Sequence, residues 1–396
     1  MWISPLPSDI SRRGLAASEL AANAVQSEIR AMTVECDRVG GINLAQGVCD
    51  TGVPHPVAEA ALAAIRDGFN IYTRLDGIST LRAAIAQKLA VYNQLAVDPE
   101  RGVLVTSGAT GAFHAACLAL LNPGDEAILF EPFYGYHRST LLSQRVRPVT
   151  VALQAPDWGV DPDRVRAAIT PNTRAIVLNT PSNPLGKVFT QAEMEAIAAI
   201  AEEFDLFVFT DEIYEYFVCD GARHISFATL PGMAARTITM SGFSKTFSVT
   251  GWRLGYLAAD PQWIPAIGYF HDLTYVCAPS PLQHGAAAGL AQLPQSFYTG
   301  LAQEYQQKRD MLVAALADAG MPAYVPQGAY YILADVSALP GENARDKARW
   351  LLARTGVAAV AGTAFFTHGR GENLLRFCYA KQTDALAEAC QRLRAL

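Results

Sequence analysis

Ser241-Gly242-Phe243-Ser244-Lys245-Thr246-Phe247-Ser248-Val249-Thr250-Gly251-Trp252-Arg253-Leu254-Gly255-Tyr256 is the stretch on which the reading of this chain turns. It sets Lys245 and Arg253 eight residues apart among small, hydroxylic and apolar neighbours. A lysine amine poor in charged neighbours can be desolvated into a nucleophile that forms a Schiff base with an aldehyde, and a fixed guanidinium binds a phosphate through two parallel hydrogen bonds. The pair suits a ligand that is both an aldehyde and a phosphate ester. Taken alone, the same residues would also suit a solvated loop, so the decision rests on what flanks them.

Outward from this stretch, residues 103–258 alternate short apolar runs with helical patterns. Val103–Thr106, Ala127–Phe130, Ala175–Leu178 and Leu206–Phe209 are too short for helices and rich in β-branched or aromatic residues, and Thr237–Met240 is a weaker fifth. Between them, Met194, Ile197, Ile200 and Ala201 recur at helical spacing within Gln191–Phe204, with Glu202 and Glu203 on the wet side. Such alternation predicts a mostly parallel sheet covered by helices on both faces. The last hundred residues read differently: a long helix over Phe297–Ala319, a strand at Tyr330–Leu333, a helix around Asn343–Thr355, a strand at Leu374–Cys378 and a closing helix from Thr383. They predict a smaller α+β domain. A helical stretch over Ser18–Val34 is expected to pack on that small domain or on a second subunit.

In α/β sheets ligands bind at the carboxyl ends of the strands, and the candidate residues follow the predicted strands one by one. Ser107-Gly108-Ala109-Thr110-Gly111 opens a helix whose free N–H groups favour a phosphate, although small residues also serve tight packing. Asp211 follows Phe209 and Thr210; a buried carboxylate needs a positive partner, such as a protonated pyridine nitrogen, unless it merely caps the next helix. Asn183, in Asn179-Thr180-Pro181-Ser182-Asn183-Pro184, and Tyr214 carry groups able to bond a pyridine 3-oxygen, and Asn-Pro-x-Gly is equally an ordinary turn. Phe133, in Glu131-Pro132-Phe133-Tyr134, is a ring that could stack on a pyridine face or fill the core.

In spacing, order and composition these segments resemble the class I and II aminotransferases, the fold-type I pyridoxal phosphate enzymes, from about residue 40 to the C-terminus. Within that family the resemblance is to the branch of kynurenine, glutamine, methionine and aromatic aminotransferases. It implies an α/β fold with a mostly parallel seven-stranded sheet between helices in a large domain, plus a smaller α+β domain. The chain is expected to divide into an N-terminal segment over 1–45, a large cofactor-binding domain over 46–290 and a small C-terminal domain over 291–396. The cofactor implied is pyridoxal 5′-phosphate. Lys245 looks like the Schiff-base lysine and proton shuttle, Asp211 like the partner of the pyridinium nitrogen, Asn183 and Tyr214 like the 3-oxygen ligands, and Phe133 like the stacking ring. Gly108, Ala109, Thr110 and Arg253 look like the phosphate cradle. Tyr72, in Tyr72-Thr73-x-x-x-Gly77, matches the tyrosine that reaches the phosphate of a neighbouring subunit, which implies a homodimer. Arg376, in Leu375-Arg376-Phe377, matches the arginine that clamps the substrate α-carboxylate, with help from the backbone at Gly47.

Two departures stand out. Gly242 occupies a position where many relatives have a phosphate-binding serine, which leaves Ser241 or Ser244 to supply a hydroxyl. Asn43-Leu44-Ala45-Gln46-Gly47-Val48-Cys49-Asp50-Thr51-Gly52 replaces a commoner Gly-x-Pro-Asp-Phe run on the substrate side, and puts specificity in question.

Composition narrows the partners. With 51% hydrophobic residues in 396, the chain can bury a large core, and a formal net charge of −6 without a basic stripe argues against nucleic acid. No run of about 18 apolar residues predicts a membrane span, and no signal segment is read at the N-terminus. Seven scattered cysteines without a Cys-x-x-Cys pair, and histidines without ligand spacing, predict a reduced cytoplasmic protein without a metal site. The expected reaction is a ping-pong transamination between an L-amino acid and a 2-oxo acid. A lyase, decarboxylase or oxidase would use the same residues on the same fold. A cofactor-sensing regulator would need a basic DNA-binding extension, which is not read before residue 40. Tyr136, Phe133, Tyr330, Phe365 and Phe366 lean toward a hydrophobic, aromatic, methionine or glutamine substrate, and no second arginine is assigned to a diacid.

Overall fold

The computed structural model describes residue 15, residues 18–22 and residues 27–396. After a two-residue strand β1 (Ile42–Asn43), the chain builds β2 (Val103–Thr106), β3 (Glu126–Glu131), β4 (Arg147–Ala152), β5 (Thr173–Asn179), β6 (Phe207–Asp211), β7 (Thr237–Gly242) and β8 (Gly255–Ala258). These last seven form one sheet in the order β2-β8-β7-β6-β5-β3-β4. All neighbours run parallel except β8, which is antiparallel to both β2 and β7. Of the apolar runs predicted from sequence, those in β3, β5, β6 and β7 are inner strands buried on both faces, while Val103–Thr106 forms β2 at the sheet's edge, buried as well. Alternation decides which side each residue faces: Val177 packs with Phe113, Leu129 and Phe209 on one side, while Ile176 and Leu178 pack with Ile197 and Ile200 on the other.

The helix Gln191–Glu203 begins where Thr190 and Glu193 cap one another's backbone N–H, the reciprocal arrangement that a Thr-x-x-Glu sequence permits. The helix Ala344–Thr355 starts with Asn343 Oδ1 accepting from Asp346 N at 3.0 Å and ends at Gly356, whose φ of +70° suits a residue without Cβ.

The C-terminal part folds around a four-stranded antiparallel sheet in the order β12-β13-β10-β9, from β9 (Ala323–Tyr324), β10 (Tyr331–Asp335), β12 (Val360–Ala361) and β13 (Leu374–Cys378). Strand β11 (Val357–Ala358) pairs in parallel with β1, so the N-terminal segment is tied to this region. The expected helix over Ser18–Val34 differs in the structure: a single turn at Glu19–Ala22 and a separate helix over Glu28–Arg38 are present, and residues 23–26 lie outside the described part. The latter helix joins the small sheet's side through Glu28–Arg345 and Glu35–Arg349 ion pairs.

One buried carboxylate ties the large sheet to the C-terminal part. Glu131, at the carboxyl end of β3 and 1% exposed, accepts from Thr367 N at 2.9 Å and Thr367 Oγ1 at 2.6 Å and pairs with Arg370 Nη2 at 2.5 Å. Beside it, Phe133 N donates to Phe365 O at 3.0 Å. Removing the carboxylate strands several donors at once, so Glu131→Ala is expected to lower stability by roughly 2–4 kcal/mol. A urea midpoint that moves by less than about 0.5 kcal/mol equivalent would show that these contacts carry no net stability.

Candidate active site

The carboxyl ends of β2, β3, β5, β6 and β7 open on one edge of the sheet, and register sets Asn179 directly beside Asp211 there. A cleft of about 340 Å³ runs along this edge toward the small sheet. Of the residues picked from sequence, Gly47, Ala109, Thr110, Asn183, Asp211, Tyr214, Lys245, Arg253 and Arg376 line it. Gly108 lies directly behind it: with φ of +74° and a would-be Cβ only 2.6 Å from Arg253 Nη2, it must be glycine for the guanidinium to reach the start of the helix Gly108–Leu120.

Asp211, buried at the end of β6, accepts from His137 at 3.1 Å on one oxygen and from Ile213 N at 3.3 Å on the other. The residues after it form turns rather than a helix, so its carboxylate closes a local turn and also faces the cleft. Its backbone oxygen accepts from Asn179 Nδ2 at 3.0 Å, while Asn179 Oδ1 accepts from Asn183 N at 2.7 Å, which fixes Asn183 in place. Tyr214 and Tyr331 share a hydroxyl–hydroxyl hydrogen bond of 3.1 Å, and burial raises the Tyr214 hydroxyl well above its ordinary pKa.

Lys245 follows β7 and donates from Nζ to Gly47 O at 3.1 Å, with the Tyr330 ring 5.6 Å away. Removal of its amine from water, aided by the nearby Arg253 charge, lowers its pKa against the opposing pull of Asp211 and two thiols. Arg376 is 1% exposed; Nη1 donates to Asn183 Oδ1 at 2.8 Å, Nη2 to Ala45 O at 2.5 Å, and the guanidinium lies 4.3 Å from the Tyr331 ring and 4.7 Å from that of Phe365. Its Nε has no partner among the described residues. A Cβ at Gly47 would collide with the Tyr331 hydroxyl, which explains a glycine at this crossing.

Two selected residues are placed elsewhere. Phe133 does not line the cleft; it packs among Leu129, Leu141 and other apolar side chains beneath it, and the ring that faces the cleft is its neighbour Tyr134, set edge-on to His137 at 5.2 Å. Strand-end geometry turns consecutive residues to opposite sides, so a motif that names Phe-Tyr as a pair is easily read one position off. Tyr72 is 78% exposed and does not line the cleft of its own chain. Among the aromatic residues weighed for specificity, Tyr136 lines the cleft, whereas Phe133, Tyr330, Phe365 and Phe366 do not. Ser244 lines it too; Ser241 instead donates to Glu215 Oε1 at 2.9 Å on the far side. Sequence reading missed Tyr134, His137, Thr140, Tyr331 and Arg30, none of which stands in a recognisable spacing. Glu212, Glu215 and His224 converge behind the cleft, but Lys88, Asn93 and Ser241 already hold the Glu215 carboxylate.

Residues 39–393 match the family described as aminotransferase class I and II. The chain belongs to that family. It is 36% identical to the probable N-succinyldiaminopimelate aminotransferase DapC of Mycobacterium tuberculosis, over 95% of this chain and 96% of that one. Identity to kynurenine–oxoglutarate transaminase 1 of Mus musculus is 33%, over 89% of this chain and 91% of the mouse protein. The solved structure of Escherichia coli YbdL, which has a methionine aminotransferase function, superimposes with a TM-score of 0.92 at 31% identity, covering 97% of this chain and all of that one. This aminotransferase is a fold-type I enzyme; it uses pyridoxal 5′-phosphate, and its substrates are amino acids and oxo acids. Among the described residues no helix is long and apolar enough to cross a membrane.

The cleft fits that cofactor. A helix start with unpaired N–H groups, an arginine let in by Gly108, and the Ser244 and Thr250 side chains suit a phosphate, and Asp211 offers a carboxylate whose one titratable side-chain partner is His137. The helix start is itself fixed by a neutral histidine: His271 Nε2 accepts from Ser107 N at 3.1 Å, and burial pushes its pKa down to about 4 despite the neighbouring Asp272. The unfolded chain binds this proton near pH 6.5 and the folded one only near 4, so folding stability contributed by neutral His271 is lost as pH falls through that interval. The aminotransferase is expected to lose more stability between pH 7 and pH 5 than its His271→Leu variant does; parallel stability profiles over that range would refute the assignment.

Proposed function

We propose that this aminotransferase passes the amino group of an L-amino acid with a hydrophobic, aromatic, methionine or glutamine side chain to a 2-oxo acid, in two half-reactions at one site. The observation that supports it most is the meeting, in one cleft, of a desolvated lysine amine with a buried arginine whose Nε has no partner among the described residues. On this reading Arg376 grips the substrate α-carboxylate, with the backbone at Gly47 alongside, and sets the Cα hydrogen toward Lys245. A lowered amine pKa favours the unprotonated form of Lys245, the form able to take the Cα proton and return it on the other side of the reaction. Pyridoxal phosphate, when bound, supplies the electron sink and carries the amino group between substrates.

Arg253, Gly108, Ala109, Thr110 and Ser244 would hold the phosphate. Asp211, oriented by His137, would face the pyridine nitrogen, and Tyr134 would serve as the flanking ring in place of Phe133. Tyr214 would hydrogen-bond the 3-oxygen, as would the Asn183 amide N–H, left free because its oxygen is taken by Arg376. Tyr134, Tyr136 and Ile29 offer the side-chain end of the cleft aromatic and aliphatic walls, which supports an apolar donor. The reading divides the chain into the N-terminal segment 1–45, the large domain 46–290 and the small domain 291–396. Seven free cysteines support a reducing, cytoplasmic setting.

A homodimer belongs to the same reading. Phe69, Ile71, Tyr72, Leu75, Tyr269 and Leu273 are exposed, and Leu75 lies against Gly268, so the two segments adjoin in one apolar surface. Sedimentation is expected to give twice the 42.6 kDa chain mass, and Tyr72→Ala to release the cofactor faster on gel filtration. A monomer, or a Tyr72→Ala variant with undiminished cofactor retention, would rule out the shared phosphate site.

For the chemistry, the cofactor-loaded enzyme is incubated with single amino acids and no acceptor. The visible spectrum is expected to change to that of the amine form of the cofactor, with one oxo acid per site, and Lys245→Ala is expected to lose turnover. Continued release of ammonia or carbon dioxide without that conversion would reassign the enzyme as a lyase, oxidase or decarboxylase.

A further inference from the structure

Tyr331 carries a hydroxyl into a place whose packing asks only for a ring. It opens β10, is 2% exposed and lies against the rings of Tyr214 and Tyr330 and the guanidinium of Arg376. In the register of β10 and β13, Tyr331 stands opposite Cys378 and Leu333 opposite Arg376, so Tyr331 and Arg376 are diagonal neighbours on one face of the small sheet. A phenyl ring would serve that stacking as well as a phenol does. The hydroxyl instead imposes a constraint on another segment: a Cβ at Gly47 would lie 1.9 Å from it, so the chain must keep glycine there. A buried hydroxyl also gives up its water and needs a partner within the protein.

That partner is the hydroxyl of Tyr214, at 3.1 Å, and both tyrosines line the cleft. Either oxygen can donate in this bond, but each hydroxyl has a single proton. On the reading above, Tyr214 gives its proton to the 3-oxygen of the cofactor. It then has none left for Tyr331, and the bond between the two must be donated by Tyr331. The surroundings favour that direction. Burial raises the pKa of both hydroxyls, and at Tyr331 the Arg376 charge works against the rise, which makes Tyr331 the readier donor. Hydrogen bonds in line polarise one another, so a Tyr214 hydroxyl that accepts from Tyr331 donates more strongly in turn.

We infer that Tyr331 is a positioning residue, whose hydroxyl donates to Tyr214 and thereby aims and strengthens the Tyr214 O–H toward the cofactor's 3-oxygen. The inference rests on the assignment of Tyr214 above and deepens it by naming the group that acts through it. Its effect is electrostatic. A 3-oxygen that accepts a stronger hydrogen bond holds less firmly the proton it shares with the Lys245 nitrogen of the loaded enzyme, so that proton leaves at a lower pH. The same side chain places its ring against Arg376, the group assigned to the substrate carboxylate. One residue thus serves both ends of the cleft, through its ring at one and its hydroxyl at the other.

The test is a pH titration of the visible absorbance of the cofactor-loaded enzyme, without substrate, in the wild type, Tyr331→Phe, Tyr214→Phe and the double variant. Phenylalanine keeps the ring against Arg376, so a hydroxyl with a merely structural role would leave the apparent pKa where it is. Tyr331→Phe is expected to raise that pKa by about 0.3 unit or more, and Tyr214→Phe to raise it further. Adding Tyr331→Phe to Tyr214→Phe is expected to produce no further rise, because the hydroxyl through which Tyr331 acts is then gone. An unchanged pKa in Tyr331→Phe, with a raised one in Tyr214→Phe, overturns the inference and leaves the role of Tyr214 intact. An equal rise from Tyr331→Phe in both backgrounds also overturns it, since the hydroxyl then acts on the cofactor without Tyr214. A pKa that neither substitution moves overturns the assignment of Tyr214, and this inference with it.

Discussion

The burial of the Arg376 guanidinium is the constraint around which the cleft is arranged. A cation with 1% exposure is unfavourable by several kcal/mol unless hydrogen bonds and other dipoles replace its water. No carboxylate does so among the described residues. Its partners are neutral and come from separate parts of the chain: the carbonyl of Ala45 after β1, the amide of Asn183 after β5, and the rings of Tyr331 in β10 and Phe365 before β13. Neutral partners hold the group in place yet leave its charge uncompensated. An incoming carboxylate then meets a preformed, water-poor cation, the condition under which an ion pair is strongest.

That arrangement depends in turn on the sheet. Parallel strands deliver Asn179 and Asp211 side by side, and the Asn179 amide, which donates to Asp211 O and accepts from Asn183 N, carries this register outward to Arg376. The Asp211 end and the Arg376 end of the cleft are thereby connected by three consecutive hydrogen bonds. Glu131 does comparable work one strand over, where its carboxylate anchors the segment bearing Phe365. A sheet edge with a small domain laid against it thus acts as a single rigid frame for groups separated by more than three hundred residues in sequence.

How much of this was legible beforehand follows from what each signal encodes. Central strands were readable because both faces are buried, which writes an unbroken apolar run into the sequence. Strand β4 was missed: it is an edge strand, half exposed, and carries Pro148, which a central strand would not tolerate. Strand β8 was hidden within the lysine stretch, whose residues were read for chemistry, and its reversed direction leaves no mark in composition. Lys245, Asp211, Asn183 and Arg376 were found because charge or amide in an apolar setting is costly and therefore conspicuous. His137 and Tyr331 were not, since a histidine opening a helix and a tyrosine in a strand look like ordinary core or surface choices until the fold brings them to Asp211 and Tyr214. Phe133 and Tyr134 differ only in which way a strand end turns.

The departure at Asn43–Gly52 is informative for the opposite reason. The contacts this segment makes with the reacting end come from its backbone: Gly47 O accepts from Lys245 Nζ and, at 3.4 Å, from the Tyr330 hydroxyl, and Ala45 O accepts from Arg376. Val48 and Cys49 can therefore vary without removing one of these hydrogen bonds, and burial raises the Cys49 thiol above its ordinary pKa. Gly47 is the exception, since any side chain there would displace Tyr331. Gln46 and Gly47 of this segment line the cleft together with Ile29, Arg30, Tyr134 and Tyr136. The reacting groups of the cleft are thus held by backbone oxygens and buried charge, while the helix Glu28–Arg38 adds only Ile29 and Arg30 to its lining.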